Sequence, residues 1–198
     1  MTRGLLIVLS GPSGTGKGTV CKTLISKRKD ILLSVSCTTR KPRSGEKEGV
    51  SYFFINQNKF DSMIADNAFL EHAGVFGHKY GTPKNFVEKA LESGRDVLLE
   101  IDVQGALQVK QNRPDAVYIF LVPPSLAELE KRIRSRATET EAQIISRLGK
   151  AKSEMEYKNK YDYVIVNDTV DSVISRIECI IEAEKLRSVR YTENKVTD

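Results

Sequence analysis

Gly11-Pro12-Ser13-Gly14-Thr15-Gly16-Lys17-Gly18, followed by Thr19, is the segment best equipped for chemistry. Glycines at this spacing let successive backbone N–H groups turn inward around an anion, and Lys17 adds a point charge for phosphate oxygens. A helix beginning at the lysine contributes its positive N-terminal end. The pattern G-x-x-x-x-G-K-[ST] is met except at its last position. Gly18 stands where a hydroxyl usually ligates Mg²⁺, and Thr19 comes one residue later. Mg²⁺ tolerates that change, because it keeps several waters and can be held through phosphates, with Asp102 acting through water. A glycine turn with an incidental lysine is the bland alternative. The apolar run Leu5–Leu9 before the loop and the helix-like stretch Lys17–Lys27 after it supply the context that favours a nucleotide-phosphate cradle.

A second anion site is suggested by Ser36-Cys37-Thr38-Thr39-Arg40-Lys41-Pro42-Arg43. Arg40 and Arg43 can each fork onto phosphate oxygens, which a lone lysine cannot do. Tyr52 and Tyr80 can add phenolic donors. Two arginines in a loop are by themselves more often solvated surface; their position after a phosphate loop tips the balance.

These groups need a scaffold, and the pattern of the chain supplies one. Leu5–Leu9, Ile31–Val35, Val97–Ile101, Ala116–Val122 and Tyr163–Val166 read as strands, the most apolar of them suited to burial on both faces. Helices are expected over Lys17–Lys27, from Thr82-Pro83 to Gly94, from a Ser125/Glu128 capping box through Arg134, from Thr140 to about Tyr157, and over Val170–Arg187. Alternating strands and helices argue for an α/β fold with a parallel sheet. Residues 36–80 break the rhythm, with short strands near Tyr52–Ile55 and Phe69–Phe76 and a helix over Asn58–Asp66, so they read as an inserted lobe. The Tyr191–Asp198 tail is expected to fray.

The chain has 198 residues, 40% hydrophobic and 29% charged, with a net charge of +5. That suits one globular domain and an anionic ligand, whether nucleotide, nucleic acid or membrane surface. No aromatic stacking platform favours nucleic acid, and no apolar run approaches membrane-spanning length. Cys21, Cys37 and Cys179 have neither disulfide-framework nor zinc spacing. With no leader-like segment before the first strand, a cytoplasmic protein is expected.

Several motifs in one order make the reading more specific. Ser36–Arg43, Gly49-Val50-Ser51-Tyr52-Phe53-Phe54, Glu71, Tyr80-Gly81-Thr82, Glu100-Ile101-Asp102-Val103-Gln104-Gly105, Phe120–Ser125, 136–141 and Val166-Asn167-Asp168 together resemble guanylate kinase, from the phosphate loop nearly to the C-terminus. The resemblance implies a three-layer α/β fold of the P-loop NTPase type. Its core would span 1–35, 81–135 and 141–190, with a GMP lobe at about 36–80 and a lid at about 136–140. It implies ATP as donor, GMP as acceptor, Mg²⁺, and a monomer or homodimer bound to neither nucleic acid nor membrane. By that resemblance Arg40, Arg43, Tyr52 and Tyr80 hold the GMP phosphate, and Ser36, Glu71, Thr82 and Asp102 read guanine. Arg132, Arg136 and Arg147 neutralise the transferred group, and Asn167 lies near adenine. Ala137 departs from the family's glycine after the lid arginine. The chemistry is compatible: ionised Glu71 and Asp102 only accept, which suits guanine N1–H and N2–H₂, and Ser36 and Thr82 can donate to O6. A kinase for another small phosphorylated acceptor and a catalytically silent binding module remain the competing readings.

Overall fold

The computed structural model describes residues 3–75, 77–135 and 140–190. The chain begins with β1 (Leu6–Ser10), α1 (Lys17–Lys27), β2 (Ile31–Leu33) and β3 (Cys37–Thr38). It continues through β4 (Phe53–Phe54), α2 (Gln57–Ala65), β5 (Phe69–Val75), β6 (His78–Pro83) and α3 (Lys84–Glu92). Next come β7 (Asp96–Glu100), α4 (Val103–Asn112), β8 (Val117–Val122), α5 (Leu126–Arg134), α6 (Glu141–Met155), β9 (Tyr163–Val166) and α7 (Val170–Lys185).

Five strands form a parallel sheet in the order β2-β7-β1-β8-β9. Every residue of β1 and β8 is buried, as a strand covered on both faces requires. Successive side chains of β1 enter opposite layers. Ile7 and Leu9 pack with Val20 and Leu24 of α1 and Ile174, Ile177 and Ile181 of α7. Leu6 and Val8 pack with Val87 and Leu91 of α3 and Ala106 and Val109 of α4. The chain winds in opposite directions on the two sides of β1, and a crevice opens beyond the carboxyl ends of strands at such a reversal. The phosphate loop lies there.

A second sheet, β4-β3-β6-β5, carries mixed pairing: β3 is parallel to β4, while β6 is antiparallel to both β3 and β5. Its small core is Cys37, Phe60 and Phe69, with the two phenyl centroids 4.7 Å apart.

The structure departs from the sequence pattern in instructive places. Helix α4 was not expected, although Asp102 accepts a hydrogen bond from Gly105 N–H as its N-cap and Val103, Ala106 and Val109 share a buried face. Strand β3 is too short, and β6 too poor in apolar alternation, to announce itself; β6 is held along its length by β5 and at Tyr80 and Gly81 by β3. Thr82 does not cap α3. It lies within β6, Pro83 takes the cap position without a side-chain bond, and the Thr82 hydroxyl turns inward. Ser125 caps α5, but the Glu128 carboxylate binds Arg132 instead of completing the box. At the start of α6, Thr140 and Gln143 do form a complete capping box.

Phe60→Ala would remove the centre of the second sheet's small core, a fully buried side chain. It is expected to cost roughly 3–5 kcal/mol in urea unfolding, and a loss below about 1 kcal/mol would mean this core contributes little.

Candidate active site

Gly11, Gly14 and Gly16 have φ of 145°, 91° and 92°. A Cβ at Gly11 would sit 2.2 Å from the Leu121 carbonyl oxygen, so only glycine fits. Gly16 is the N-cap of α1 and no side chain caps it, which leaves the first helical amides for a ligand. Lys17 Nζ folds over the loop and donates to the carbonyls of Gly11 at 2.6 Å and Pro12 at 3.1 Å. Burial pushes its ammonium below the ordinary lysine range, and the charges of Glu100, Glu154 and Asp102 partly restore it. A cavity of about 370 Å³ lies against Ser13, Gly14, Gly16, Lys17, Gly18, Thr19, Lys22 and Glu100.

The loop is braced from behind. The Thr15 hydroxyl donates to the Pro12 carbonyl at 2.8 Å. The Thr15 carbonyl accepts from the Asn167 amide and from Arg132 Nη1 at 3.4 Å. Arg132 also donates to the Asn167 carbonyl at 3.3 Å and to Glu128 at 2.9 Å. Arg147, itself buried, donates to Ser13 Oγ at 2.7 Å. Asn167, Arg132 and Arg147 are therefore brought to the loop, but none of them lines its cavity. Arg136 and Ala137 fall outside the described residues.

A second cavity, of about 220 Å³, is lined by Ser36, Tyr52, Glu71, Tyr80 and Asp102, together with Ala73, Val75 and Ile101. Lys17 and Glu100 line both cavities, so the two meet at the lysine. Glu71 is buried on β5 and accepts from the Thr82 hydroxyl at 2.7 Å. Thr82 is fully buried and lies behind the carboxylate, its one proton already donated. Ser36 Oγ, 3.4 Å from Thr82 Oγ1, is the hydroxyl left on the cavity wall. Asp102 Oδ1 accepts from Gly105 N–H at 2.9 Å; Oδ2 is buried without a hydrogen-bond partner among the described residues. Asp102 thus faces the second cavity, and Glu100 is the carboxylate that faces the phosphate loop.

Arg40 is almost buried beside this cavity, behind the two tyrosines. It donates to Tyr80 Oη at 3.3 Å, to the Lys41 carbonyl at 2.7 Å and to Glu46 at 2.8 Å, and its guanidinium lies 5.5 Å from the Tyr52 ring centroid. The other Glu46 oxygen accepts from the Arg43 N–H at 2.7 Å. Glu46 was missed by the sequence reading. Its signal is an acidic residue closing the Pro42-Arg43-Ser44-Gly45 turn. The Arg43 side chain is exposed and lines neither cavity.

Burial, opposed by the Thr82 hydroxyl bond and reinforced by the nearby negative Asp102, pushes Glu71 up to about 7. The folded protein therefore holds a proton that the unfolded chain releases near 4.5. Stability conferred by protonated Glu71 is complete below 4.5 and is lost as pH rises through 7. Glu71→Gln, with no proton to lose, is expected to gain about 2–3 kcal/mol on the wild type between pH 5 and pH 8 in urea unfolding without nucleotide. A difference that stays constant across this range would contradict the shift.

The model of the guanylate kinase family matches residues 3–184. A guanylate kinase of Caldanaerobacter subterraneus subsp. tengcongensis is 56% identical over 185 residues, covering 93% of this chain and 90% of that protein. One from Clostridium perfringens is 52% identical over 192 residues, covering 97% of this chain and 89% of that protein. The crystal structure of guanylate kinase from Anaplasma phagocytophilum aligns with a TM-score of 0.81 at 36% identity, covering 98% of this chain and 93% of that one. Matched along nearly its whole length in both sequence and fold, the chain belongs to the guanylate kinase family.

Proposed function

We propose that this chain transfers the γ-phosphoryl group of ATP to GMP, giving ADP and GDP, with dGMP as a second acceptor. The observation that carries the reading is the meeting of two cavities at Lys17 and Glu100, one edged by the phosphate loop and the other by Glu71 and Asp102. The core holds ATP and residues 36–80 form the GMP lobe; the lid assigned to about 136–140 lies, except for Thr140, outside the described residues. The enzyme works in purine nucleotide recycling in the cytoplasm, on free nucleotides rather than on nucleic acid or a membrane.

Phosphoryl transfer needs alignment and charge neutralisation more than covalent help. The loop amides from Gly11 to Thr19 and the Lys17 ammonium hold the donor phosphates. Tyr52, Tyr80, Arg40 and Arg43 hold the acceptor phosphate, which is already a competent nucleophile, so no general base is required. Arg40 and Arg43 reach it as the lobe closes. Arg132, Arg136 and Arg147 neutralise charge on the transferred group, and Asn167 acts on ATP by fixing the loop at Thr15. Glu71 and Asp102 accept from guanine N1–H and N2–H₂, and Ser36 donates to O6. Adenine would leave these groups unpaired, at roughly 1–3 kcal/mol each.

Mg²⁺ would arrive with ATP. Among the described residues no group of three or more His, Cys, Asp or Glu could hold a metal, and Gly18 brings no hydroxyl. Glu100, whose Oε1 lies 3.3 Å from where a Gly18 Cβ would be, and Thr19 supply oxygen atoms suited to the waters of a phosphate-borne ion. Bound Mg²⁺ would neutralise charge on the phosphate oxygens.

A coupled assay for ADP release across GMP, AMP, UMP and a sugar phosphate tests the acceptor. GMP should be preferred, and Lys17→Ala should lower kcat by about 10²–10³-fold or more with the fold intact. Faster phosphorylation of another acceptor would overturn the guanine assignment. Undiminished turnover in Lys17→Ala would remove the loop as donor site and favour a silent binding module.

A further inference from the structure

Strand β5 is the outer strand of the second sheet, paired with β6 on one side only. The edge groups of such a strand need partners from outside the sheet. Gln108 of α4 supplies both for His72. Its Oε1 accepts from the His72 N–H at 3.1 Å, and its Nε2 donates to the His72 carbonyl at 2.8 Å. A side-chain amide has the donor and acceptor of a peptide group, so Gln108 pairs with β5 as a neighbouring strand would.

One helical turn earlier, on the same face of α4, stands Gly105. A Cβ there would lie 2.5 Å from Glu71 Oε2, so the helix backbone approaches the carboxylate as closely as glycine permits. The other carboxylate oxygen takes the Thr82 hydroxyl at 2.7 Å. Asp102 heads the same helix as its N-cap. Two of the carboxylates lining the second cavity, Glu71 and Asp102, therefore belong to different sheets' surroundings, one on β5 and one at the start of α4, and their spacing depends on how β5 registers against α4. The Gln108–His72 pair is the two-point clamp on that register, at the residue next to Glu71.

We propose that Gln108 is a positioning residue for recognition of the acceptor base. It touches no substrate. It fixes β5 against α4 so that Glu71 and Asp102 present their oxygens at the spacing of one purine edge. This rests on the reading of the second cavity as a guanine site.

The test is kinetic, on the full chain, with Gln108→Ala and Gln108→Glu. Gln108→Ala should raise KM for GMP about tenfold, equivalent to about 1.4 kcal/mol. KM for ATP and kcat at saturating GMP should stay within about twofold, a loss of binding that acts before the chemical step. The preference for GMP over AMP should narrow. Gln108→Glu can still accept from the His72 N–H but cannot donate to its carbonyl, and should fall between the two. If Gln108 acts through Glu71, adding Gln108→Ala to Glu71→Gln should change KM for GMP no further. An unchanged KM for GMP in a wild type that prefers GMP would overturn the assignment of Gln108 alone. So would an equal further loss in the Glu71→Gln background, or a parallel fall of every kinetic constant with the melting temperature, which would mark Gln108 as a scaffold residue. A wild type that prefers another acceptor would instead overturn the reading of the cavity itself.

Discussion

The half-buried ammonium of Lys17 is the constraint around which the rest is arranged. A lysine so enclosed needs close oxygen partners, and here the loop's own carbonyls at Gly11 and Pro12 provide them. Three carboxylates, Glu100, Glu154 and Asp102, act on the same charge from β7, α6 and the start of α4. The loop can turn tightly enough to do this only because Gly11 lets its backbone pass against Leu121 of β8. Asn167, Arg132 and Arg147 hold it from the far side. A positive charge is thus fixed where the two cavities join, at the place where phosphate oxygens of a donor and an acceptor would meet.

The second cavity follows a different logic. Its recognition groups are carboxylates, and a buried carboxyl beside another negative group is costly to ionise. Glu71 shows this cost, since burial and Asp102 together move it into the neutral range. A ligand offering N–H donors would reverse it, because an accepting carboxylate must be ionised. The cavity is therefore built to gain from a base with two donors on one edge, and Thr82 steers Glu71 toward it from behind.

Much of this was legible in the residues. The phosphate loop, its flanking strand and helix, the parallel sheet and the inserted lobe all carry local signals: apolar runs, glycine spacing and caps. The pairing of Ser36, Tyr52, Glu71, Tyr80 and Asp102 around one cavity was legible as a resemblance, since no local rule places residues so far apart in sequence together. What stayed hidden depends on contacts between elements. Strand β6 exists because β5 and β3 flank it and β3 because β4 and β6 do, Glu46 matters because it meets Arg40, and Thr82 gives up a helix cap because Glu71 is nearer. Helix α4 was the avoidable miss, with Asp102 as a cap and apolar residues at helical spacing behind it.

The central claim is that donor and acceptor sites are two chambers joined at Lys17. A single molecule carrying adenosine and guanosine linked through a chain of five phosphates can test it by calorimetry. If the chambers are joined, both ends engage at once, and the linked compound should bind about 10²–10⁴-fold more tightly than ADP or GMP alone. Either nucleotide should compete with it. Binding no tighter than that of ADP, or unaffected by GMP, would contradict the account.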